Sequence, residues 1–168
     1  METKYQLLIV EENPYLVDIL FETLHKEFTI TVASTGQEAA RLLVQGSQFD
    51  CVLTELNLTF FGGLELTKLI RISRFGAQTP IVILSDVQDS ATRIQCLDQG
   101  VDAFLLKPFN PLEVKAKLQA LLRRVESPIE PRQRLASVRL QEPAKPFWQP
   151  KSRFLSMLFG NYSLPQSV

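Results

Sequence analysis

Four short apolar runs recur along the chain: Leu7-Leu8-Ile9-Val10, Cys51-Val52-Leu53, Ile81-Val82-Ile83-Leu84 and Ala103-Phe104-Leu105-Leu106. Segments with apolar residues at helical spacing separate them. Short unbroken apolar runs suit strands covered on both faces, and their alternation with helices predicts βαβ units around a parallel sheet. A further strand is expected over Phe28–Val32. Helix starts are also legible. Asn13-Pro14 and Asn110-Pro111 place an N-cap residue before a proline suited to the first helical position. Thr35 and Glu38 have the spacing of a capping box, and Gly46 marks an exit. Leu16, Ile19, Leu20 and Leu24 predict the buried stripe of the first helix. Leu64, Leu66, Leu69 and Ile70 predict that of the third, and Ile94 and Leu97 the inward face of the fourth. The expected body, residues 1–125, has five strands and five helices.

Residues 126–168 read differently. Pro128, Pro131, Pro143, Pro146, Pro150 and Pro165 interrupt any long element, leaving two short stretches, 132–140 and 152–159, with helical character. Net charge is zero overall, but the body carries 12 basic and 15 acidic residues and the tail 6 and 3. A mildly basic tail on a mildly acidic body lacks the clustered basic face that nucleic-acid binding requires. Cys51 and Cys96 lie in apolar surroundings and read as buried, reduced thiols. With no cysteine pair and His25 as the single histidine, zinc is not expected. There is no secretory leader pattern and no run of membrane-spanning length, so a cytoplasmic protein is expected.

The chemistry-bearing residues follow the apolar runs. Glu11-Glu12 follows the first, Glu55 with Asn57 two places on follows the second, Ser85 the third and Lys107-Pro108 the fourth. Ligands of α/β sheets bind at the carboxyl ends of the strands, so these groups are expected to converge on one pocket. Each also has a plain reading: solvated loop acids, a turn serine, a surface lysine. Phe104, three places before Lys107, could be simple strand packing.

This constellation resembles the receiver domain of bacterial two-component response regulators. The resemblance covers about residues 5–125 and implies a doubly wound, flavodoxin-like α/β fold with strand order 2-1-3-4-5. In that family the position of Glu55 is an aspartate that accepts a phosphoryl group. The acidic pair, the acceptor and the backbone carbonyl at Asn57 hold Mg²⁺, Ser85 would contact the phosphoryl group, and Phe104 is the aromatic switch position. Lys107 would follow a strand and precede a cis proline. Here all three carboxylates are glutamates. Each extra methylene moves a carboxylate outward by about 1.5 Å, and Mg²⁺ demands near-ideal octahedral geometry. The site is therefore expected to be degenerate. No cofactor is required, Mg²⁺ would bind only weakly, and a Lys107–Glu55 pair between neighbouring strand ends could close the pocket.

These features predict a stand-alone signalling or scaffold module, not an enzyme, that works through contacts with a kinase or output protein without phosphorylation. An active phosphoacceptor using a substitute carboxylate is the alternative reading. A DNA-associated regulator is disfavoured because no helix-turn-helix pattern follows residue 125. Phe60 and Phe61 at the pocket mouth, and Trp148, Phe154 and Leu158 in the tail, are the candidate partner contacts. A homodimer stays open.

Overall fold

The computed structural model describes residues 4–73 and 76–126. The expected tail helices and the candidates Trp148, Phe154 and Leu158 lie outside the described residues. Five strands alternate with five helices: β1 (Tyr5–Val10), α1 (Pro14–Leu24), β2 (Phe28–Ala33), α2 (Gly36–Val44), β3 (Cys51–Glu55), α3 (Gly63–Ile72), β4 (Ile81–Ser85), α4 (Ser90–Asp98), β5 (Ala103–Leu106) and α5 (Pro111–Glu126). The strands form one sheet in the order β2-β1-β3-β4-β5, and every pairing is parallel. The expected fold and strand order are those observed.

Side-chain alternation divides the sheet between two helical layers. Leu7, Ile9, Leu53, Val82 and Leu84 pack with Leu20 and Leu24 of α1 and Val114, Leu118 and Leu122 of α5. Leu8, Val10, Val52 and Ile81 point the other way, toward Ala39 of α2 and Leu66 and Ile70 of α3. A smaller cluster joins Leu56 and Ile83 to Cys96 of α4 and to Val101. Both cysteines are buried and free, and burial pushes both thiols above their ordinary range.

Local chemistry fixes the helix starts. The Asn13 side chain accepts from the Tyr15 N–H at 3.0 Å, and Asn110 from Leu112 at 2.9 Å. Thr35 accepts from Glu38 at 3.1 Å, but the Glu38 carboxylate returns to the N–H of Ser34, one residue earlier than a capping box predicts. Asp89 caps α4, and the donors of Thr92 and Ala91 hold its carboxyl below the usual range.

Two expected buried faces are corrected. On α1 the stripe runs through Leu20 and Leu24, with Leu16 half-buried, whereas Ile19 is 46% exposed. Residues four apart stack on one face of a helix, and Ile19 lies about 100° round from Leu20. On α4, Ile94 and Leu97 are 57% and 50% exposed, and the fully buried residue is Cys96. The inward line there joins Thr92 to Cys96, which places Ile94 near the opposite side of the helix.

At the amino end of the strands, Arg71 makes a clasp that apolar periodicity does not reveal. Its Nε and Nη2 donate to the carbonyl of Gly100 at 2.9 and 2.7 Å. Nη1 donates to the carbonyls of Gly76 and Thr79 at 3.0 and 2.7 Å. Nη2 also meets Asp102 at 2.6 Å, and the same carboxylate oxygen accepts from the Ile81 N–H at 2.8 Å. One planar fork thus joins the end of α3 to the starts of β4 and β5.

Replacing Arg71 by alanine is expected to lower unfolding free energy by about 1–3 kcal/mol, as several carbonyls lose charge-assisted donors. Arg71→Lys should recover less than half of that, because an ammonium cannot reproduce the fork. Urea unfolding of both variants checks this. An alanine variant within about 0.5 kcal/mol of the parent would mark the clasp as ordinary surface contact.

Candidate functional site

The parallel register brings the polar residues to one end of the sheet. Val10 pairs with Thr54, Glu55 with Leu84, and Ser85 with Leu106. Glu11, Glu55, Ser85 and Lys107 therefore share one edge. The Lys107 N–H donates to the Ser85 carbonyl at 2.7 Å, tying β5 to β4 where the lysine leaves the sheet. The Lys107–Pro108 bond is cis.

Lys107 is the centre of the site. Its ammonium donates to Glu11 Oε2 at 2.8 Å and is in still closer contact with Glu55 Oε2. Glu11 and Glu55 are buried and Lys107 is half-buried. The Lys107–Glu55 pair is as expected, but its route is not. β4 lies between β3 and β5, so their ends are not neighbours, and the lysine stem crosses the end of β4. The participation of Glu11 was not read from the sequence. An acidic pair at a strand end says nothing about which member turns inward.

The direction of Glu55 is a second correction. The extra methylene does not carry the carboxylate outward. Glu55 Oε1 turns back to accept from the N–H groups of Leu56 at 2.8 Å and Asn57 at 3.1 Å. The side chain forms a local turn of the kind shorter acids make, and the residue is buried.

The remaining acidic oxygens have partners too. Glu11 Oε1 accepts from the Asn13 N–H at 3.0 Å. Glu12 bonds to a loop instead: its Oε1 accepts from the Thr59 N–H at 2.6 Å and its Oε2 from the Thr59 hydroxyl at 3.0 Å. All six carboxylate oxygens of Glu11, Glu12 and Glu55 thus face protein donors. A hard cation needs several such oxygens at once, so these residues as placed do not fit one. Ser85 is fully buried, and its hydroxyl accepts from the Val87 N–H at 3.1 Å, as in a serine turn. Phe104 is half-buried against the cluster of Ile83, Cys96 and Val101, with the Arg93 guanidinium 5.8 Å from its ring centre.

The two aromatics at the mouth part company. Phe61 is half-buried against the α2 and α3 cluster, whereas Phe60 is 88% exposed. Among the described residues, no helix is long and apolar enough to cross a membrane.

Comparison with known proteins agrees with the fold. The family model described as the response regulator receiver domain matches residues 7–119. The transcriptional regulatory protein SrrA of Staphylococcus aureus is 33% identical over 123 residues, which is 73% of this chain and 49% of SrrA. The chain thus spans about half the length of the curated relatives it matches. Among solved structures, the receiver domain of the sensor histidine kinase PA1611 from Pseudomonas aeruginosa PAO1 is 26% identical with a TM-score of 0.63. That match covers 72% of this chain and 99% of the other, and that structure has a magnesium ion coordinated in its active-site cleft. The chemotaxis response regulator CheY4 of Vibrio cholerae is 25% identical with a TM-score of 0.65, covering 71% of this chain and 99% of its own.

The two carboxylates give Lys107 a testable titration. Burial lowers its affinity for a proton, but hydrogen bonds and charge from Glu11 and Glu55 outweigh that, so its pKa is raised above 10.5. A raised pKa means the ammonium stabilises the fold fully below the unfolded value and loses that contribution as pH climbs through the folded one. Stability is therefore expected to fall on the alkaline side, above 10.5. Carbon-13 NMR of the Lys107 Cε resonance should show a midpoint above that of exposed lysines. A midpoint at or below theirs would mean the ion pairs do not persist in solution.

Proposed function

The chain belongs to the response regulator receiver domain family, and on that premise we propose that it is a two-component signalling module that works through protein contacts without being phosphorylated. The observation that carries this reading is the Lys107 ammonium held between Glu11 and Glu55. A carboxylate that attacks phosphorus needs an oxygen free to approach in line. Glu55 offers one oxygen paired to an ammonium and another accepting two backbone N–H groups. Phosphoryl transfer also needs positive charge on the transferring group. The fixed positive group at this sheet edge already faces two carboxylates.

In this reading no cofactor is required, and any Mg²⁺ binding is weak. Glu55 supplies one negative charge, whereas a phosphoryl group carries nearly two with three acceptor oxygens. The module therefore keeps one state of the site, closed by an internal ion pair, rather than exchanging two. Its partner would be a kinase or an output protein of a two-component system, in keeping with a cytoplasmic setting. One solved relative is the receiver domain of a sensor histidine kinase, and a curated one is a transcriptional regulatory protein.

Incubation with a small acyl-phosphate donor and Mg²⁺ is expected to leave the intact mass unchanged. A gain of one phosphoryl group mapped to Glu55 or another pocket carboxylate would sink the proposal and favour the active-acceptor alternative. Glu55→Asp should restore weak acceptance, still at least about 100-fold slower than an intact receiver, because small misplacements cost on that order. If the parent chain and the aspartate variant accept equally well, the glutamate is not what disables the site.

A further inference from the structure

The loop between β3 and α3 holds a bulky residue in a backbone conformation that it ordinarily avoids. Phe60 has φ of 66°, in the left-handed region. The Phe61 N–H donates to the Thr59 carbonyl at 2.8 Å, closing a three-residue turn around it. A left-handed conformation costs a residue with a Cβ roughly 1–2 kcal/mol. Glycine would adopt it freely, and asparagine or aspartate could soften it with local hydrogen bonds. Phenylalanine can do neither.

The turn is held from both sides. Before it, Thr59 gives its N–H and its hydroxyl to the two carboxylate oxygens of Glu12. After it, Phe61 packs into the core, and its carbonyl passes so close to α2 that a Cβ on Gly36 would sit 1.7 Å from the oxygen. Only glycine fits at position 36. The base of the loop is closed by the Gly63 N–H donating to the Leu56 carbonyl at 2.9 Å. Strained conformations persist where the surroundings over-determine them, and such places gather at functional sites.

What this strain achieves is the projection of one aromatic ring into solvent. At 88% exposure Phe60 contributes little burial to the fold. Aromatic residues that lose most when desolvated are typical centres of protein interfaces. The surrounding charge narrows the partner. Glu12 and Asp86 are exposed at this sheet end, and Glu65 is exposed in the first turn of α3. Lys107 at this edge is taken by Glu11 and Glu55, and the exposed Lys68 lies a turn further along α3 than Glu65. A second copy brought face to face would set these acids against one another, which disfavours a two-fold dimer.

We propose that Phe60 is the anchor of a docking surface for a protein with an apolar socket rimmed by basic residues, and that Glu12 is the positioning residue that holds it out. The proposal deepens the reading given above, since it names the partner class of the same sheet end, but it does not depend on the phosphoryl result. The acid that would face a cation in an intact receiver here tethers a recognition loop.

The test uses the full chain, shown by intact mass to be unphosphorylated, as the target for a random peptide library displayed on phage. Selected peptides should combine Lys or Arg with aliphatic or aromatic residues. Their binding should weaken about tenfold or more with Phe60→Ala, and weaken with Glu12→Ala more than with Glu12→Gln, which loses the charge but keeps an oxygen to accept from the Thr59 N–H. Thermal unfolding separates binding from folding: Phe60→Ala should melt near the parent, and Phe60→Gly should be no less stable because glycine accepts positive φ. Binding that survives Phe60→Ala, or peptides without basic residues, overturns the proposed surface. Parent-like binding by Glu12→Ala removes the positioning role. A dimer seen by sedimentation and dissolved by Phe60→Ala would identify a second copy as the occupant and overturn the basic-rimmed partner. A phosphoryl gain in the mass assay would instead refute phosphorylation independence and leave these binding results standing.

Discussion

An ammonium group at the carboxyl edge of the sheet joins the ends of three strands. Lys107 follows β5, Glu11 follows β1 and Glu55 ends β3, so one cation spans most of the sheet's width. Two nearly buried carboxylates facing each other alone would be costly. Their juxtaposition is tolerable because the lysine lies between them and backbone N–H groups take up the remaining oxygens. Removing the lysine would leave an excess of buried negative charge, the situation in which broken ion pairs are most destabilising.

The glutamates matter through their reach. A shorter acid at position 55 makes the local turn to the following N–H groups readily, but has less reach to meet a lysine arriving across β4 at the same time. The longer side chain does both, and at position 12 the added length lets an acid reach a neighbouring loop. The charged groups of this edge hold parts of the protein together: Lys107 joins Glu11 and Glu55, and Glu12 holds Thr59.

Much of this was legible in the sequence. Apolar runs of strand length, N-cap and proline pairs and the spacing of polar residues point to a parallel α/β sheet and to one shared edge. Periodicity was least reliable where helix faces are only partly covered: Ile19, Ile94 and Leu97 are apolar yet lie out, and a cysteine carries the inward position on α4. Three contacts had no sequence signal: Lys107 with Glu11, Glu12 with Thr59, and the Arg71 clasp. Each joins residues from different elements, and their meeting depends on side-chain direction after the chain has folded. Phe60 and Phe61 look equivalent in the sequence, yet the turn at Phe60 leaves one ring outside while the next residue packs inward with its carbonyl against Gly36.

The position of the lysine on the last strand has a consequence for assembly. β1, where the acidic edge begins, is made early and lies inside the sheet between β2 and β3, whereas β5 is the last strand and pairs only with β4. Until β5 is in place, Glu11 and Glu55 have no internal counter-ion and are better left in water. Parallel pairing already requires the slow closure of long crossovers. Docking of β5 on β4 therefore both adds the fifth strand and brings the acidic edge its lysine. A sheet without β5 would leave β4 unpaired on one side and these carboxylates without their lysine, which gives little reward to partial structure and favours all-or-none assembly of the described body.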